Sequence, residues 1–173
     1  MLKSLLKSRA DKALGAEICE AIGTQARNPV FFTDLAVPDT IDGRFDMVAL
    51  HAWLVLERLR DLGMKDVSQG VVDSLFASFD ESLRDLGVGD IGIGHRVKKM
   101  ADAFYGRLNA YREAKNEGAL ADAVIRNVYR GDADRAREAR IFAGYIASAK
   151  AAIGNCDMTS GVIDFGDAAK FLR

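Results

Sequence analysis

Two histidines, one basic stretch and one glycine-rich connector hold most of the residue types in this chain that could do chemistry. His51 stands seven residues from both Arg44 and Arg58. That interval is close to two helical turns, so on a helix all three project to nearly one side. Such a stripe can grip a partner's carboxylates or backbone. The competing reading buries His51 against a neighbouring helix and pairs the two arginines with acids at either end. Between residues 95 and 115, Arg96, Lys98, Lys99, Arg107, Arg112 and Lys115 face only Asp102 and Glu113. This excess is either a solvated face balanced by the acidic segment before it or a cationic patch for a negatively charged partner. Tyr105 and Tyr111 beside it are candidate anchors of the kind that dominate interfaces.

The connector spells G-x-G-x-x-G at Gly87, Gly89 and Gly92. A dinucleotide site needs that pattern after a strand, with a helix N-terminus facing the pyrophosphate. Here an amphipathic helix comes first, and Asp90 sets a negative charge where phosphate would approach. The pattern reads instead as a helix cap at Gly87 followed by an irregular link over residues 87 to 94. Neither His51 nor His95 lies in a zinc motif, and the chain has no nucleophile elbow and no P-loop. No catalytic residue, cofactor or metal site is expected. Cys19 and Cys156 are far apart and without ligand neighbours, which reads as two reduced thiols.

The element that must position these groups is residues 43 to 63. Phe45, Val48, Ala52, Val55, Leu59 and Leu62 recur at helical spacing. Met47, Ala49, Leu50, Trp53, Leu54 and Leu56 cover most of the other faces, leaving His51 the one strongly polar side chain between Asp46 and Glu57. A helix apolar nearly all round is surrounded by others or crosses a membrane. Its apolar part is about half the roughly 20 residues a span needs, so it reads as the central helix of a helical domain.

Around it the pattern predicts a first helix ending near Arg27, stopped by Asn28 and Pro29. An ordered loop over residues 28 to 42 follows, whose Val30, Phe31 and Phe32 either pack on the core or form a membrane- or partner-facing tip. A helix over 66 to 86 presents Val67, Val71, Val72, Leu75, Phe76, Phe79, Leu83 and Leu86 as its apolar face, with acids on the other. The next, from His95 to about Asn116, has Val97, Met100, Phe104, Leu108 and Tyr111 as its inner stripe. Shorter helices are expected over 118 to 130 and 133 to 153, then a loop-rich tail over 154 to 173 with a last turn. The fold class is all-α: one domain over residues 1 to 173, about six helices around a buried central one.

The chain of 173 residues has net charge −1 and pI near 6.1, so the molecule as a whole has no electrostatic reason to seek nucleic acid. No apolar run long enough for a membrane span is present. The start lacks the apolar core of a secretory signal and reads as a helix kept on the protein.

Together, three runs resemble the ubiquinol-cytochrome c chaperone family: residues 37 to 60, 75 to 114 and 120 to 131. The resemblance is carried by Leu50-His51-Ala52-Trp53 with Arg58 beyond, Asp80 and Arg84 ahead of Gly87-Val88, Lys98-Lys99-Met100, Phe104-Tyr105 with Tyr111, and Leu120 to Tyr129. It covers about residues 37 to 131. It implies a non-catalytic assembly factor for the respiratory ubiquinol-cytochrome c reductase, with newly made cytochrome b as client. It also implies a short bacterial form without N-terminal extension, cytoplasmic and peripheral to the inner membrane through its client. Eukaryotic members work with a small partner protein and contact the ribosome. The candidates for client contact are Arg44, His51, Arg58, Arg96, Lys98, Lys99, Tyr105, Arg107 and Tyr111. Two other readings stand beside this one: a ligand-binding protein or enzyme with a pocket near His51 and Trp53, and a scaffold that works by oligomerising.

Overall fold

A computed structural model describes residues 2–85, 87 and 90–172, and among these every regular element is helical. In chain order the α-helices are α1 (Leu2–Ala26), α2 (Pro29–Thr33), α3 (Ile41–Asp61), α4 (Lys65–Asp85), α5 (Asp90–Glu113), α6 (Glu117–Asn127) and α7 (Ala136–Gly154). Short 3-10 turns occupy Ala133–Arg135 and Ala168–Leu172. The all-α expectation holds, with six substantial helices and one of five residues.

The central helix forms where the sequence places it. Thr40 caps its start by accepting from Gly43 N–H at 3.1 Å. Its end closes on Gly63 at φ +71, where Gly63 N–H reaches Arg60 O and Met64 N–H reaches Leu59 O. That is the paired C-terminal closure that a left-handed glycine permits. Thirteen of the 21 residues of α3 are buried. The reason is contact with α1, α4, α5 and α7 at once, so apolar side chains are wanted on every face. Leu50, Leu54 and Leu59 are among the largest fully enclosed side chains. Truncating any of them would cost about 3 kcal/mol.

The helices α1 and α4 cross with backbones almost touching. A Cβ placed on Gly15 would sit 2.5 Å from the Gly70 carbonyl carbon. Only glycine allows that approach.

Two boundaries differ from expectation. The segment over 28 to 42 contains a helix, because Asn28 accepts from Val30 N–H and Pro29 takes the first helical position, where its missing N–H costs nothing. Val30 and Phe31 are buried and Phe32 half-buried, so this turn ties α1 to the core. The connector is also shorter than its glycines suggest. Gly87 closes α4 at φ +77 as expected, but Gly92 and Gly94 already lie inside α5. Burial of Ile93 at 4% exposure rewards helix there, against the roughly 1 kcal/mol each glycine costs. Leu86, Val88 and Gly89 lie outside the described residues. The tail is loop with a final 3-10 turn, fastened by the buried Met158, Phe165 and Ala168.

Candidate partner-binding site

The stripe of Arg44, His51 and Arg58 does not form a surface. His51 is fully buried, with Phe31, Tyr145 and Phe165 rings 5.2 to 5.8 Å from its own. Its Nδ1 lies 2.7 Å from Met47 O and its Nε2 lies 2.8 Å from the Tyr145 hydroxyl. A carbonyl only accepts, so Nδ1 carries the proton and Nε2 accepts from Tyr145. Tyr145 accepts in turn from Gln25 Nε2 at 2.9 Å. Burial pushes the His51 pKa down to about 4, partly offset by the Met47 carbonyl. A neutral, enclosed imidazole cannot meet a partner, so His51 leaves the set of contact residues. The same enclosure speaks against a pocket at His51 and Trp53. Trp53 is 3% exposed, packed on Tyr111 at 5.3 Å, and neither residue lines either of the two grooves described below.

The two arginines part company. Arg58 is half-buried and donates to the Gly154 carbonyl at 2.8 Å, fixing α3 to the C-terminal end of α7, where positive charge is favoured. Arg44 is exposed and paired with Asp39 at 2.7 Å, which holds that carboxyl below its usual range.

Along α5 the basic stretch divides by helical face. Arg96, Lys98 and Lys99 are exposed, with no ion pair among the described residues. Tyr105 is half-exposed, its ring stacked on Phe76. Phe104, Leu108 and Tyr111 point inward. Tyr111 is 1% exposed and its hydroxyl has no protein partner among the described residues. It is therefore core, as its place in the inner stripe required, and not an interface anchor.

Arg107 is largely withdrawn from the open surface, its side chain 16% exposed. Its Nε donates to Asp46 Oδ1 at 2.6 Å, Nη1 donates to the Ala103 carbonyl, and the guanidinium lies 4.9 Å from the Phe45 ring centre. Asp46, fully buried on α3, receives a second cation from Arg130. Arg130 Nη1 stands 2.8 Å from Oδ2, within ion-pair range but off the line of a hydrogen bond. Burial raises the Asp46 carboxyl above its ordinary range, and the two guanidiniums offset part of that. A buried acid on an apolar helix must find a cation. That rule makes Asp46 legible in the sequence as a site needing a partner, although it does not say which arginines answer.

Beside this cluster a groove of about 670 Å³ runs between α3, α4 and α5. Ile41, Phe45, Leu83, Met100 and Ala103 form its apolar walls, and Arg96, Lys99, Arg107 and Arg130 edge it, with Asp42. A second groove, of about 580 Å³ between α1, α3 and α4, shares Ile41, Phe45 and Met100 with the first. Val48, Leu75 and Phe79 continue the apolar lining there, and Arg27 and Arg44 stand at its edge. Ile41, at the junction, is 63% exposed. Sequence reasoning missed Ile41 and Arg130, because the groove exists only where three helices diverge.

The ubiquinol-cytochrome C chaperone family model matches residues 33–160. Ubiquinol-cytochrome-c reductase complex assembly factor 1 of Xenopus laevis is 24% identical over 120 residues, 67% of this chain and 60% of that protein. The mitochondrial protein CBP3 of Saccharomyces cerevisiae is 31% identical over 108 residues, 58% of this chain and 32% of that one. The chain thus spans less than two thirds of either relative. The crystal structure of the Cbp3 homolog from Brucella abortus superposes with a TM-score of 0.82 at 33% identity, covering 98% of this chain and 99% of that one.

Proposed function

The chain belongs to the ubiquinol-cytochrome C chaperone family, and from that premise we propose that it assists assembly of the respiratory ubiquinol-cytochrome c reductase by holding newly made cytochrome b. The observation that carries the reading is the pair of adjoining apolar grooves with arginine and lysine at their edges. A membrane protein outside its bilayer exposes apolar helix to water. Two adjoining grooves, one walled by Ile41, Phe45, Leu83 and Met100 and the other by Ile41, Phe45, Val48, Phe79 and Met100, cover such a helix by the same physics that buries amphipathic helices in other recognition grooves.

Arg96 and Lys99 edge the first groove and Arg44 stands at the edge of its neighbour, while Lys98 and Tyr105 are exposed on α5 outside both linings. Charges so placed raise the rate of encounter and fix orientation more than they add affinity. Holding is reversible because it costs the client no covalent change, so the mode of action is binding and not catalysis. The Xenopus laevis relative carries an assembly-factor name, which supports the same direction.

Among the described residues no helix is long and apolar enough to cross a membrane. On this reading the protein works in the cytoplasm at the inner membrane surface, brought there by its client. Contact with the ribosome would place the groove where the client emerges.

The test is capture of cytochrome b from native membranes by the wild-type chain and by the double variant Lys98→Glu, Lys99→Glu. Both lysines are exposed, so the variant keeps its fold, as its helical circular dichroism should show. Capture should fall severalfold in the variant. Undiminished capture would remove the lysines from the site, and no capture by well-folded wild type would remove the reading itself.

A further inference from the structure

We propose that the groove selects an apolar helical segment bearing an acidic side chain, whose carboxylate is received by the Arg107 and Arg130 pair that Asp46 holds in place. This rests on the groove being the client site and names the chemistry of what enters it.

Two guanidiniums converge on one carboxylate, so the cluster keeps a positive charge after Asp46 is satisfied. Arg107 spends Nε on Asp46 and Nη1 on the Ala103 carbonyl. Arg130 spends Nη1 on Asp46 and on the Asn127 carbonyl. Arg107 Nη2 and Arg130 Nε and Nη2 have no protein partner among the described residues, and both side chains line the groove. Arg96 and Lys99 add charge at the same edge. A ligand with a carboxylate at this point and apolar surface along Phe45, Leu83 and Met100 meets complementary groups, four cations standing on the lining against the one acid Asp42.

The arginines are also pre-set. Arg107 lies over the Phe45 ring and is 16% exposed, so little freedom remains to be lost when an anion binds. Arg130 sits in the left-handed region at φ +56, held by Gly131 N–H to Ile125 O at 2.9 Å. A glycine would be the relaxed choice there. Arginine at a strained position, with its side chain on a groove edge, indicates that the side chain is wanted there. A guanidinium whose fork already faces a carboxylate site recognises a second carboxylate in two-pronged fashion, which a lysine could not do.

The test uses a fluorescein-labelled helical peptide of leucine and alanine with one central glutamate, its glutamine twin, and vesicles containing an anionic phospholipid. The chain should bind the glutamate peptide about tenfold more tightly than the twin, as expected for one charge-assisted hydrogen-bond pair. Arg130→Gln should erase that preference. Met100→Glu, which puts a carboxylate on the apolar wall, should weaken both peptides. Arg107→Gln is avoided because it strands Asp46. Equal binding of the two peptides, or a preference that survives Arg130→Gln, overturns the inference. So does tight binding of vesicles with no binding of either peptide, which would assign the groove to lipid. Wild-type capture of cytochrome b, run alongside, separates the two failures: capture without glutamate preference sinks only this inference, and absence of capture sinks the reading beneath it.

Discussion

His51 should make stability fall with acid in a window that a single substitution can remove. Its ordinary pKa is about 6.5 and burial pushes it down to about 4. The folded state holds the ring neutral because Nε2 is already occupied as an acceptor from Tyr145, whose oxygen is engaged by Gln25. A second ring proton would displace the Tyr145 hydroxyl hydrogen into an apolar surround of Phe31, Phe142 and Phe165. In the unfolded chain the ring takes that proton freely. The contribution of His51 is therefore intact above about pH 6.5 and is lost as pH falls toward 4, because below 6.5 the unfolded state binds more protons than the folded one. Each pH unit is worth about 1.4 kcal/mol, so the full window is worth about 3 kcal/mol, with about 1.4 kcal/mol gone by pH 5.5. Urea unfolding of wild type and His51→Gln between pH 4.5 and 7.5 measures it. Other titrating groups contribute to both proteins and cancel in the difference. Wild type should lose about 1 kcal/mol per unit more than the variant below pH 6. Parallel curves would mean that His51 is not enclosed as described.

Further tests concern how the frame is held. Gly15→Ala should cost about 2 kcal/mol or more in chemical denaturation, because the added methyl meets Gly70 backbone that cannot yield without parting α1 from α4. Asp46→Asn should cost about 3 kcal/mol, the lower end for a broken buried pair, since Arg130 is half-exposed and can turn to water while Arg107 cannot; a loss under about 1 kcal/mol would show the cluster to be solvated. Tyr111→Phe should be neutral or stabilise by up to about 1 kcal/mol, because its hydroxyl is buried without a protein partner. A clear loss of stability in thermal melts would instead reveal a hidden partner for that hydroxyl.

Much of the fold was legible because one helix is so unusual. The nearly complete apolar cover of α3 demanded neighbours on every side, and it has them in α1, α4, α5 and α7. The short helix α2 escaped periodicity because five residues make little more than one turn, although Asn28 and Pro29 carried its capping signal. The start of α5 was misplaced because glycine propensity is a weak prior that burial of Ile93 overrides. Site residues were less legible. Counting charges found the basic stretch, but whether a cation is spent internally depends on what lies opposite. Arg107 and Tyr111 share α5 with Lys98 and Lys99 and differ only by the face on which they stand. The groove itself is made by Ile41, Phe45 and Met100 from helices far apart in sequence, and no local pattern marks such a meeting.

Attachment of a short photo-crosslinker at Met100, on the wall common to both grooves, tests the central claim most directly. Irradiation in native membranes followed by mass spectrometry should return adducts to an apolar segment of cytochrome b, with a control crosslinker at the exposed Val162 returning none. Adducts at Val162 and none at Met100 would place the client elsewhere on the molecule. Adducts at neither, from folded and well-expressed protein, would contradict the assignment of cytochrome b as the client.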